Sequence, residues 1–162
     1  MAEPRWLTQA RMYIGLREIA GARTEPVIAG WLKRARAWWS DDETPWCGTF
    51  VDAVMRDCNI PSAKAWYRAQ GWLEWGVPLS GPTLGAVVVF KRTGGGHVGI
   101  VAGTDDRGNL MVLGGNQGNA VCILPFARDR VLGYRWPAAM PVPGLSTLPV
   151  LASTGALSRN EA

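Results

Sequence analysis

The stretch Asp41-Asp42-Glu43-Thr44-Pro45-Trp46-Cys47, followed by the run from Gly48 to Met55, decides how this 162-residue chain folds. Thr44 is suited to cap a helix and Pro45 to be its first residue, where a missing N–H costs nothing. Cys47 then lies in the first turn, near the positive end of the helix dipole, which lowers the pKa of a thiol. Apolar residues recur after it at helical spacing, so the helix should be buried and hold the cysteine rigidly.

A cysteine in this position needs a base, and the chain has only one histidine. Most free cysteines are small buried hydrophobes, and Cys47 taken alone fits that description. His97, however, follows three glycines and begins the apolar run 97–101, so small neighbours leave room beside its imidazole. We therefore predict that His97 faces a cleft, takes the proton of the Cys47 thiol and later passes it to the leaving amine.

A third polar group must orient the imidazole through its other ring nitrogen. The apolar run 110–113 enters the loop Gly114-Gly115-Asn116-Gln117-Gly118-Asn119, and Asn116 is the first polar residue after it. The alternative is a glycine-rich hairpin turn, in which Asn is common because it tolerates left-handed backbone. Asn119 fits that alternative better, so Asn116 is the predicted orienter. Gln117 beside it, Trp46 beside Cys47 and Glu43 a short way before are predicted to contact substrate.

Composition narrows the classes of ligand. The net charge of +4 and the pI of about 9.3 favour an anionic polymer. No interleaved basic and aromatic motif indicates nucleic acid. Three cysteines, an odd number, argue against a disulfide framework, and no ligand spacing suggests a metal or another cofactor. Nine tryptophans are unusual, and we expect most of them to pack in the core while a few line a groove.

Helical patterns precede strand patterns along the chain. Helices are expected over 4–19, 26–37 and 45–58, and strands over 86–90, 97–102, 109–113, 120–124 and 131–136. This order predicts an α+β fold in which N-terminal helices pack on an antiparallel sheet of about five strands. Residues 1–137 form the predicted domain, and the Pro-, Ser- and Ala-rich residues 138–162 a flexible tail. The N-terminal sequence has no apolar segment that indicates a signal peptide or membrane insertion, so we expect synthesis in the cytoplasm.

Five pieces of the chain resemble the cysteine peptidases and amidases of bacterial cell walls, the CHAP and NlpC/P60 superfamily, and within it small phage-type endolysins. The pieces are 42–47, 72–76, 85–90, 97–101 and 113–117. The resemblance implies a papain-like fold, peptidoglycan as substrate, and Cys47, His97 and Asn116 as nucleophile, base and orienter. Ala86 departs from the relatives, which usually carry Asp there. That Asp is neither nucleophile nor base, so the departure leaves the chemistry intact.

The resemblance leaves several functions open. A peptidoglycan hydrolase that acts after release through a holin or on a phage tail is the first. An acyltransferase of the same fold would pass the thioester to an amine instead of water. A wall-binding module without catalysis, or a toxin delivered into rival bacteria, would share the fold. Product analysis with and without an added amine separates the first two, and lysis of purified walls tests the third.

Overall fold

Helices come first and strands later in this chain, as the sequence predicts. The structure is a computed structural model that describes residues 3–21, 23–42, 44–144, 147–153 and 156–159. Its helices are α1 (Arg5–Arg11), α2 (Pro26–Arg34) and α3 (Cys47–Asp57), with 3₁₀ helices at Ala69–Glu74 and Arg128–Arg130. Its strands are β1 (Val77–Leu79), β2 (Val87–Arg92), β3 (Gly95–Thr104), β4 (Leu110–Gly114), β5 (Cys122–Phe126) and β6 (Val131–Trp136).

The strands form one antiparallel sheet in the order β1-β6-β2-β3-β4-β5. The predicted α+β architecture is therefore confirmed, with six strands in the described part of the chain instead of about five. The additional strand, β1, has only three residues and contains Pro78, so its pattern is too short to predict. It lies at the edge of the sheet, where a proline costs no ladder hydrogen bond.

The sheet is strongly curved. Phe90 of β2 and Phe126 of β5 stack with ring centroids 4.6 Å apart, although β3 and β4 lie between their strands. In a flat sheet, three strand spacings would separate β2 from β5 by about 14 Å. Curvature covers one face of the central strands and α3 contacts β3, which explains why β4 is buried along its whole length.

The first helix is much shorter than the predicted span 4–19. It ends at Arg11, and the backbone that follows pairs with the loop after β4. The N–H of Gly15 donates to the carbonyl of Val121, the N–H of Val121 to Leu16, and the N–H of Glu18 to Asn119, at 2.8–3.0 Å. This pairing replaces the helical hydrogen bonds. No helix in the described ranges is long and apolar enough to cross a bilayer.

Part of the segment predicted to be a flexible tail packs on the sheet. The Thr104 N–H donates to the Pro149 carbonyl at 2.9 Å, and the Leu151 N–H donates to the Thr104 carbonyl at 2.7 Å. Leu148 is buried. Further on, the Ser158 N–H donates to the carbonyl of Pro125 at 2.8 Å. These residues occupy backbone groups at the end of β3 and in β5.

Candidate active site

Cys47 is the first residue of α3. Its N-cap is Trp46, and the first helical hydrogen bond runs from the Phe50 N–H to the Trp46 carbonyl at 2.9 Å. The prediction that Thr44 caps this helix is wrong, because its N–H and hydroxyl instead donate to the Asp41 carboxylate at 2.7 and 2.8 Å. The helix therefore begins later than predicted, and its initial N–H groups surround the cysteine itself.

The environment of the Cys47 thiol acts on its pKa in two directions. The residue is only 5% exposed, and burial raises the pKa of the thiol. The backbone N–H groups of Val98 and Gly48 and the Arg92 guanidinium act in the opposite sense, but less strongly. The prediction from the sequence that the pKa of Cys47 is lowered is wrong for this closed site. Burial removes more stabilisation from the charged thiolate than the start of the helix supplies.

His97 lies in β3 opposite Phe90 of β2, fully buried. Its imidazole stacks on the ring of Phe126, with centroids 5.3 Å apart and planes 5° apart. The Arg130 guanidinium lies 5.5 Å from the centroid of the Phe126 ring. The next residue in the strand is Val98, whose N–H acts to lower the pKa of the Cys47 thiol. The fold therefore brings the predicted nucleophile and base together from α3 and β3.

Gln117 contacts the imidazole of His97 directly. The Gln117 Oε1 lies 3.0 Å from His97 Nε2. The assignment of Asn116 as orienter stays a prediction, and the partner that lies on Nε2 is the Gln117 oxygen. Asn116 has a left-handed backbone, with φ of 60°, and this turn carries the following side chain back under β4. Asn116 is itself buried in the loop.

The partners of the Gln117 amide determine the tautomer of His97. Its Nε2 donates to the carbonyls of Val112 and Cys122 at 3.2 and 2.9 Å. Carbonyl oxygens only accept, so this end must be the NH₂ and the end facing His97 must be the oxygen. That oxygen also only accepts, so His97 Nε2 carries a proton. A neutral imidazole protonated on Nε2 has its lone pair on Nδ1, which makes Nδ1 the basic nitrogen.

Two of the predicted substrate contacts, Trp46 and Gln117, are buried. Trp46 is 1% exposed, its indole N–H donates to Glu18 at 2.9 Å, and its ring packs against Gly115. It therefore fixes the start of α3 against the loop after β4. No face of the indole remains exposed for a ligand. Gln117 is equally buried and contacts the imidazole. Glu43 lies outside the described residues.

Arg92 and Asp42 are the site residues that sequence reasoning missed. The Arg92 Nε donates to the carbonyl of Gly96 at 3.0 Å, which holds its charge within electrostatic reach of Cys47. Buried Asp42 accepts from the N–H groups of Ile19 and Glu25, both at 2.8 Å. It fastens the loop before Cys47 to the segment after α1. Neither role has a local sequence signal, because both depend on contacts between distant segments.

The described residues contain no group of three or more His, Cys, Asp and Glu side chains that could hold a metal ion. The chemistry that the geometry supports is that of a thiol and an oriented imidazole. These two groups perform nucleophilic acyl transfer in cysteine hydrolases.

The profile of the CHAP domain matches residues 35–116, half of the chain. The chain belongs to the CHAP family. The predicted resemblance is thus confirmed at the level of the family, and the matched range contains Cys47 and His97. CHAP domains are in general cysteine peptidase or amidase domains that act on peptidoglycan. No curated protein and no solved structure matches this sequence.

Proposed function

We propose that this CHAP protein hydrolyses an amide bond of the peptide part of peptidoglycan, with Cys47 as nucleophile, His97 as base and Gln117 as orienter. The observation that carries the proposal is the hydrogen bond from His97 Nε2 to Gln117 Oε1 at 3.0 Å. It puts the basic lone pair on Nδ1 of the imidazole. The N–H of the neighbouring residue, Val98, acts to lower the pKa of the Cys47 thiol.

The reaction begins with transfer of the Cys47 proton to Nδ1 of His97. The thiolate attacks the amide carbonyl, and N–H groups at the start of α3 stabilise the oxyanion of the tetrahedral intermediate. The imidazolium then gives its proton to the leaving amine, and the C–N bond breaks to leave a thioester. Water, deprotonated by His97, hydrolyses the thioester and restores the thiol. Because burial raises the pKa of the resting thiol, His97 must take its proton before the sulfur attacks.

The first prediction tests the nucleophile and base. Cys47→Ala and His97→Ala should each abolish release of soluble fragments from purified walls, with losses of about 10⁴-fold or more, because such residues act as a unit. Cys58→Ser changes a buried cysteine at the far end of α3 and should keep activity. Mass spectrometry of the fragments identifies the bond that is cut. Undiminished release by folded Cys47→Ala protein would exclude the mechanism.

We further propose an endolysin-like role, in which the protein is made in the cytoplasm and reaches the wall through a holin or phage tail. The positive net charge of +4 supports attraction to an anionic wall. Cytoplasmic expression should then be harmless to a host cell until its membrane is permeabilised. Lysis without permeabilisation would contradict dependence on a delivery partner.

A further inference from the structure

Three aromatic side chains form an exposed surface, here called the aromatic platform and made of Trp38, Trp39 and Tyr67. Trp38 is 81% exposed and Tyr67 38% exposed. The centroid of the Trp38 ring lies 4.6 Å from that of the Trp39 ring and 5.6 Å from that of the Tyr67 ring. The ring planes meet at 75° in both pairs. Trp39 and Tyr67 are 6.0 Å apart. Large apolar side chains grouped at the surface mark binding sites more often than chance exposure does.

The platform rests on a buried base. Trp66 stacks on Trp39 at 5.8 Å, with 29° between planes, and its own exposure is 8%. The Trp66 carbonyl accepts from the indole N–H of buried Trp72 at 3.0 Å. Tyr67 meets the Trp66 ring edge-on at 5.6 Å. The exposed rings are therefore held in position by the core, which lowers the entropy lost when a ligand binds.

The platform also adjoins the proposed catalytic residues. A Cβ at Gly48, the residue after Cys47, would lie 2.2 Å from the Trp66 carbonyl oxygen. A Cβ at Gly96, the residue before His97, would lie 3.1 Å from the Gln70 side chain. The chain from Trp66 to Gln70 thus packs against Gly48 and Gly96, the sequence neighbours of Cys47 and His97. Tyr67 also approaches Gly48, since a Cβ there would lie 3.3 Å from the Tyr67 carbonyl carbon.

We propose that the aromatic platform binds sugar rings of the glycan strand while Cys47 attacks the attached peptide, an inference that rests on the proposed function. The C–H groups on one face of a pyranose ring are slightly positive and stack on the negative face of an indole or phenol. From the exposed fractions of its side chains, the solvent-exposed area of the platform is on the order of 350 Å². That area suits one or two sugar rings and falls short of the roughly 800 Å² that a stable protein partner covers.

Binding is measured in the Cys47→Ala background, so that the walls stay intact. The probe is peptide-free glycan strands, used directly and as competitor against purified peptidoglycan. Replacing Trp38 and Tyr67 together by Ala should weaken binding to both by at least about tenfold, as loss of aromatic contacts does elsewhere. Trp38→Phe keeps a ring and should lose less. Met12→Ala is the matched control, because Met12 is 76% exposed but lies at the end of α1.

Three outcomes would overturn the proposal that the platform binds glycan. The double variant could bind glycan as the wild type does, or free wall peptide could compete for binding while glycan does not. The wild type could also be a dimer that Trp38→Ala dissociates. Melting curves check that the variants fold, and alkylation of Cys47 in the corresponding active-site-intact variants should proceed at the wild-type rate. Failure of the proposed function is recognised separately. A wild-type protein that binds glycan through Trp38 but releases no wall fragments would refute the hydrolase and keep the platform.

Discussion

At the scale of single residues, Gln117 makes hydrogen bonds at both ends of its amide. Two backbone carbonyls take its N–H groups, and its oxygen faces His97. Cys122 is also close, with its Sγ 3.4 Å from the Gln117 carbonyl oxygen. The side chain is buried, so water does not compete for these contacts. An orienter of this kind sets the tautomer and plane of the imidazole without reacting itself.

The second prediction concerns this orienter. Gln117→Ala should lower kcat on purified walls by about 10² to 10³-fold, because the imidazole then loses its fixed tautomer while Cys47 and His97 remain. The matched control is Asn116→Gly, which removes the neighbouring amide and tolerates the left-handed φ of 60°. It should lose much less. If Asn116→Gly is the more damaging change in folded protein, Asn116 is the orienter after all.

The third prediction follows from the raised pKa of Cys47. Below the pKa the thiol is protonated and unreactive, so alkylation by iodoacetamide should increase with pH and reach its midpoint above the ordinary cysteine value. Arg92→Met removes a charge that lowers this pKa and should move the midpoint further up. Lys91→Met, one position away, is the control for general loss of charge. A midpoint below that of free cysteine would show a preformed thiolate.

At the scale of elements, the end of β4 sets the distance between the loop and β3. Gly114 pairs with Cys122 of β5, and a Cβ on Gly114 would lie 2.2 Å from Gln117 Oε1 and 3.2 Å from His97 Nε2. Its backbone φ is not left-handed, so glycine is required here for space alone. The absence of a side chain lets the loop amide reach the imidazole.

The fourth prediction tests this requirement. Gly114→Ala should displace the Gln117 side chain and lower kcat to a similar extent as Gln117→Ala. Gly30→Ala in α2 is the matched control, since nothing lies within 4 Å of its Cβ position. That change should leave kcat unaltered and raise the free energy of unfolding by about 0.5–1 kcal/mol. Full activity of Gly114→Ala would mean that the loop adjusts without cost.

At the scale of the whole molecule, residues after Pro137 contribute to the fold. Leu148 is buried among core residues, whereas Val150, two positions on, is 66% exposed and forms a bridge to Thr104 through its backbone. The bridge extends the sheet beside the end of β3. It places the C-terminal segment against a strand that also carries His97, some residues earlier.

The fifth prediction separates a packed segment from a flexible one. Leu148→Ala should lower the free energy of unfolding by about 2 kcal/mol and Tm by about 4–8 °C, the cost of a buried leucine in a domain of this size. Val150→Ala should change stability by less than about 0.5 kcal/mol. Thermal melts measure both. Negligible effects of both substitutions on stability would support the flexible tail that the composition predicts.

Local patterns in the sequence were sufficient for the order of elements and the α+β architecture, and they predict the pairing of a cysteine with a histidine. Buried strands leave continuous apolar runs such as 86–90, and an amphipathic helix leaves its stripe after Cys47. Such signals depend on neighbours in sequence. The family resemblance rests on the same local pieces and holds for residues 35–116.

Only the tertiary structure decided which amide reaches His97, whether Trp46 is exposed, and in which direction the pKa of Cys47 moves. Asn116 and Gln117 are adjacent polar amides with the same local signal, and the structure places the Gln117 oxygen 3.0 Å from His97 Nε2. Burial of Trp46 depends on segments distant in sequence, such as those that carry Glu18 and Gly115. Desolvation and steric fit are properties of the assembled core. A local periodicity or motif therefore does not predict them.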